Sequence, residues 1–156
     1  MNQSEKFMKE AIDLSIDNID RGGGPFGAVI VKDGKIVAAA ANSVTNDNDP
    51  TAHAEVNAIR KASKILNTFN LSDCEIYTSC EPCPMCLGAI YWSGIKTVYY
   101  GNTKKDAAKI EFDDQFIYDE LDKPIHDRHV KFIPLMRSEA QKAFVKWAST
   151  ENKTEY

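Results

Sequence analysis

His53, Glu55, Cys83 and Cys86 are the residues of this chain best suited to hold a metal ion and to move a proton beside it. His53 and Glu55 stand two apart in TAHAEVNAIR, and Cys83 and Cys86 stand three apart in PCPMC. One imidazole nitrogen and two thiolate sulfurs form a ligand set that zinc accepts at tetrahedral angles. Residues three apart share a helix face, whereas residues two apart do not. The spacing therefore groups Cys83 with Cys86 and does not demand that Glu55 join His53 as a ligand. Three protein ligands leave zinc a fourth position for water, and a carboxylate beside that water can accept a proton and hand it on. The competing reading is a closed site of Cys80, Cys83, Cys86 and His53 that only holds the fold; it has no use for Glu55.

Such a centre needs elements that bring positions 53 and 83 together. Residues 4–20 carry apolar side chains at helical spacing, and Gly22-Gly23-Gly24 ends that helix. FGAVIVKDGKIVAAAAN reads as two strands joined at Asp33-Gly34. The loop 43–50 is polar, and Thr51 is expected to cap a helix that runs to about Leu66. A strand is expected over 74–79, a helix from PCPMC to Gly94, and a fourth strand over 96–101. A short helix follows over 112–121, then a fifth strand over 130–135 (VKFIPL) and a final helix over 138–149. Strands interleaved with helices imply an α/β fold: a three-layer α/β/α sandwich around a mixed, five-stranded sheet, with residues 1–156 as one domain. If each central helix follows a strand, both helix N-termini open at one end of the sheet, and His53 meets Cys83 there.

Composition narrows the setting. Of 156 residues, 43% are apolar and 27% charged, which is ordinary for a globular domain with a real core. The net charge of −4 offers no global basic field to a long nucleic acid, and Lys104, Lys105 and Lys109 make only a modest patch. No run of about 18 apolar residues suggests a membrane span. Met1 to Glu10 lacks the basic-then-apolar layout of a secretory signal, so a cytoplasmic address is expected. Three of the four cysteines fall between positions 80 and 86, a clustering that favours metal ligation over disulfides in such a chain. Cys80 reads as a buried neighbour of the site, Cys74 as a core thiol, and His126 and His129 as surface residues.

The pairing of HAE at 53–55 with PCPMC at 82–86 is the H-x-E…P-C-x-x-C pattern of zinc nucleobase deaminases. From about Gly24 to Gly101 the chain resembles the cytidine deaminase-like superfamily. More narrowly it resembles the bacterial guanine deaminases, through GGPFGAVIVKDGKI, NDPTAHAEVNAIRKA, YTSCEPCPMCLGAIYW and FDDQFIYDEL. The first three stretches are shared in outline with tRNA adenosine deaminases and fungal cytosine deaminase. The fourth, with a C-terminal segment ending in Glu155-Tyr156, points to guanine.

The resemblance implies hydrolysis of guanine to xanthine and ammonia with one zinc ion per subunit, on His53, Cys83 and Cys86. It makes Glu55 the proton carrier and Asp114 a second catalytic group, facing the N–H donors of guanine. It places Phe26, Asn42, Ala54, Trp92 and Tyr156 around the base. It also implies a homodimer in which residues from about 138 to 156 can be exchanged between subunits, with Tyr156 as a lid. Water and guanine are then the small-molecule partners, with no nucleic acid or membrane. The rival expectations are a tRNA adenosine or cytosine deaminase of the same fold and a non-catalytic zinc module.

Overall fold

Asp33 and Gly34 both take positive φ, 50° and 69°, the backbone that a two-residue turn between twisted strands requires. In the computed structural model, which describes residues 1–156, this turn joins β1 (Gly27–Lys32) to β2 (Lys35–Ala41) as an antiparallel pair. The hairpin expected at this dipeptide is present. β3 (Cys74–Cys80) pairs antiparallel with the other side of β1, and β4 (Thr97–Asn102) pairs parallel with β3. The sheet is mixed, with order β2-β1-β3-β4.

It has four strands where the sequence suggested five. Residues 130–135 form no strand and lie exposed. A strand exists only where a neighbour completes its hydrogen bonds, and Pro134 removes one donor from this short stretch.

Alternate side chains of β1 feed two cores. Ala28 and Ile30 pack with Ala38, Ala40 and Ile76 beneath α3 (Ala54–Leu66) and α4 (Pro84–Ser93). Val29, Val31 and Tyr77 face the other way, onto Ala11, Phe7 and Met8 of α1 (Gln3–Asp20). Helices on both faces explain why β1 is a continuous apolar run rather than an alternating one. α3 meets the sheet through Ala54, Ala58 and Ala62, all fully buried, a stripe at four-residue spacing.

Two short helices were not legible in the sequence: α2 (Val44–Asp47) within the polar loop, and α5 (Lys104–Lys109), closed by a Thr103–Asp106 capping box. Two more follow, α6 (Gln115–Asp122) and α7 (Arg137–Ser149). The chain divides into two compact units, Met1–Asp114 and Gln115–Tyr156. Within the second, Arg128 Nε donates to Glu120 O and Glu120 Oε2 accepts the His129 N–H, yet no side chain of residues 115–156 is buried. No helix is long and apolar enough to cross a membrane.

Candidate metal centre

His53 is the N-cap of α3 and Cys83 the N-cap of α4; both have extended backbone, and neither side chain bonds its own helix. An N-cap side chain ordinarily turns back to accept an N–H of the first turn. Here the imidazole and the thiol turn toward each other. His53 Nδ1 lies 3.5 Å from Cys83 Sγ and 3.5 Å from Cys86 Sγ. Thr51, expected as the cap of α3, instead directs its N–H and hydroxyl to Asp49 Oδ1 in the turn before His53. Pro84 occupies the start of α4, where its missing N–H costs nothing, and Cys86 follows within the first turn.

The donor atoms of His53, Cys83 and Cys86 all lie within 4.8 Å of one another. Ligands at about 2.1–2.3 Å from a tetrahedral zinc stand roughly 3.4–3.8 Å apart. The 3.5 Å from the imidazole to each sulfur fits that spacing. Cys80 is not part of this group. Its Sγ faces Thr103 O at 3.8 Å, on the end of β3, so the closed four-donor site is not assembled. Cys74 belongs to the core beneath α3, as expected of a core thiol.

Glu55 sits in the first turn of α3 and is only 7% exposed. Its Oε2 accepts from Cys86 Sγ at 3.3 Å, beside the three-donor group and outside it. Burial pushes this carboxyl above the ordinary carboxylate range, which favours a group that carries a proton. The sulfurs are unlike. Cys83 is held down to about 4, chiefly by the hydrogen bond from Cys86 and further by His53. Cys86 is pushed up, chiefly by that same contact with Cys83 and by burial. The hydrogen bond to Cys83 raises His53. Metal ligation requires both thiolates and a neutral imidazole, so binding expels these protons.

Asn42 and Phe26 lie at the same end of the sheet. Asn42 is buried just past β2; its N–H donates to Phe26 O at 3.0 Å and its Oδ1 accepts from Val44 N at 3.2 Å. The Phe26 ring meets Phe112 edge-on, with centroids 5.0 Å apart. Phe112 was not singled out in the sequence; its place beside Asp113-Asp114 was the available signal. Asp114 is half-buried and Asp113 exposed. Burial raises the Asp114 carboxyl, and the nearby Cys83 raises it further. Both aspartates precede α6, where the sequence had put them inside a helix beginning at 112. The Ala54 methyl is fully buried in the core, so its backbone is what it can offer a ligand. Trp92 is 76% exposed on α4. Tyr156 ends the second unit and is likewise exposed.

Residues 1–102 match the family model described as the cytidine and deoxycytidylate deaminase zinc-binding region. The chain belongs to this deaminase family. Its zinc-binding character matches the His53–Cys83–Cys86 group, which could hold one zinc ion. Guanine deaminase of Bacillus subtilis (strain 168) is 54% identical over 153 residues, 97% of this chain and 98% of the relative. The X-ray structure of guanine deaminase from Bacillus subtilis superposes with a TM-score of 0.96 at 54% identity, covering 100% of this chain and 99% of that one. A tRNA-specific adenosine deaminase of Aquifex aeolicus (strain VF5) is more distant, 39% identical over 129 residues, 82% of each chain.

Proposed function

We propose that this deaminase hydrolyses guanine to xanthine and ammonia. The observation that carries the hydrolytic reading is the buried carboxylate of Glu55, 3.3 Å from Cys86 Sγ, at the edge of a group of three donors rather than four. The near full-length likeness to a guanine deaminase supports guanine as the base.

His53, Cys83 and Cys86 would hold the zinc. When bound, zinc acts as a Lewis acid that brings the pKa of water from about 15.7 to roughly 7. Glu55 takes the proton from the attacking water and delivers it to a ring nitrogen. A C–O bond forms at the carbon bearing the amino group, and the C–N bond breaks once the amino nitrogen has gained a proton and leaves as ammonia. Asp114, with its raised carboxyl, accepts from the N–H donors of guanine and handles protons on the leaving amino group. The Asn42 carboxamide has its oxygen on Val44 N–H, so its NH₂ is presented to a ring acceptor. Phe26 supplies a planar face for the base and Ala54 its backbone, with Trp92 as a further aromatic contact.

The active form is a homodimer in which residues from about 138 to 156 are exchanged between subunits. Large apolar side chains left about half exposed or more support this: Phe132, Leu135, Phe144 and Trp147. A cytoplasmic setting suits four cysteines that form no disulfide. The deciding experiment measures ammonia released from guanine, adenine, cytosine, cytidine and tRNA by the purified protein. Guanine alone should react. Deamination of tRNA with steep salt dependence would replace guanine with the tRNA reading, and no ammonia from a zinc-loaded protein would favour a binding module.

A further inference from the structure

Two asparagines outside the metal centre hold the backbone on either side of Asn42. Asn18, on the last turn of α1 and 7% exposed, points its Nδ2 at Asn42 O (2.7 Å) and Gly24 O (2.8 Å). Asn57, one turn along α3 from His53, points its Nδ2 at Ala41 O (3.0 Å) and Ser43 Oγ (3.0 Å), and also approaches Ala52 O at 3.3 Å. The carbonyls of Ala41 and Asn42 are thus engaged from α3 and α1, which lie on opposite faces of the sheet. The Asn42 N–H is engaged as well, by Phe26 O. The Ala41 O, the Asn42 O and the Asn42 N–H each have a partner, and two of those partners are side-chain amides.

The glycine run beside this point is shaped to the same contact. A Cβ on Gly23 would lie 2.2 Å from Asn18 Nδ2 and 2.8 Å from Asn42 O. Only glycine lets the loop pass close enough for Asn18 to reach both carbonyls. One amide therefore orders the segment leading to Phe26 and the end of the strand carrying Asn42. An apolar residue at position 18 could fill the volume, but it would leave the buried Asn42 carbonyl without a donor and Gly24 O with only the Phe26 N–H. Ala52, the residue before His53, is tied to the Asn42 segment by the Ser43 N–H, which donates to Ala52 O at 2.9 Å, with Asn57 Nδ2 3.3 Å from the same oxygen.

We propose that Asn18 and Asn57 are positioning residues that clamp the Asn42 backbone from both faces of the sheet and so aim the Asn42 carboxamide at the base. This rests on the reading that Asn42 contacts the substrate. The clamp acts on how tightly the base is held, not on proton transfer at Glu55.

The test compares wild type with Asn18→Ala, Asn57→Ala, Asn42→Ala and the two doubles that include Asn42→Ala, in guanine deamination, zinc content and amide hydrogen exchange. Each clamp variant should raise KM about tenfold with kcat within about threefold, the effect of one lost hydrogen bond expressed through binding. Zinc content should stay at one ion per chain. In the Asn42→Ala background the same substitutions should cost less than about twofold, because the side chain they aim is gone. The Asn42 and Val44 amides should exchange at least about tenfold faster in Asn18→Ala, while Ile76 in β3 stays protected. Effects that multiply with Asn42→Ala, a fall in kcat at unchanged KM, or unaltered exchange at positions 42 and 44 would each overturn the clamp. If Asn18→Ala does not fold, the half-exposed Asn57→Ala decides by the same criteria. A wild type inert toward guanine would refute the substrate reading, and the exchange measurement would still decide the clamp.

Discussion

Cys86 Sγ donates to Glu55 Oε2 across 3.3 Å, so a thiol of the three-donor group and a buried carboxylate 31 residues apart meet where two helices begin. The contact exists because α3 and α4 start at the same end of the sheet, with His53 and Cys83 as their caps. Helix N-termini favour negative charge, which suits the thiolates that metal ligation would require there.

Removing the metal should therefore undo both activity and part of the stability. Dialysis against a strong chelator should abolish ammonia release from guanine and lower Tm, and added zinc should restore both. Cys86→Ser should lose zinc outright in metal analysis, because a hydroxyl is a poor substitute for a soft thiolate.

The two aspartates before α6 should separate in function. Asp114 is half-buried with a raised carboxyl, whereas Asp113 is exposed. Asp114→Asn should cut kcat for guanine by about 100-fold or more, the scale of a lost acid–base group. Asp113→Asn should stay within about threefold. Equal losses in steady-state assays would contradict this division.

Metal-free protein should also show an order of thiol reactivity. Cys83, held well below the usual thiol range by Cys86 and His53, is the most thiolate-like of the four cysteines. Burial pushes Cys74 and Cys80 up to about 11, so both stay protonated until pH approaches that value. Brief iodoacetamide treatment at pH 7, read by peptide mass spectrometry, should label Cys83 first and leave Cys74 and Cys80 unmodified. Bound zinc should protect Cys83.

Much of this arrangement was legible in the sequence. The Asp33-Gly34 turn, the helix ending at Gly94 and the meeting of His53 with Cys83 all follow from local signals and from the rule that each central helix follows a strand. Long-range pairing was less accessible. VKFIPL has strand-like residues, but nothing local says whether a sheet edge will accept it, and none does. Thr51 has the side chain of a cap, yet Asp49 captures its hydroxyl and passes the cap position to His53. The asparagine contacts at Asn42 come from residues 24 positions before it and from a helix beyond it, so no motif spacing reveals them.

Exchange of the C-terminal segment predicts a size and a dependence. Light scattering should report a dimer of the 17.4 kDa chain. A chain ending at residue 137 should lose the dimer and its guanine turnover, while its His53–Cys83–Cys86 group still binds zinc. A full-length chain that remains active as a monomer would contradict the exchange.

The central claim is that His53, Cys83 and Cys86 hold the ion while Glu55 moves the proton, and zinc content together with ammonia release from guanine for Glu55→Gln tests it most directly. The predicted result is one zinc per chain with turnover reduced by at least ~100-fold. Turnover at the wild-type rate with zinc in place would contradict it.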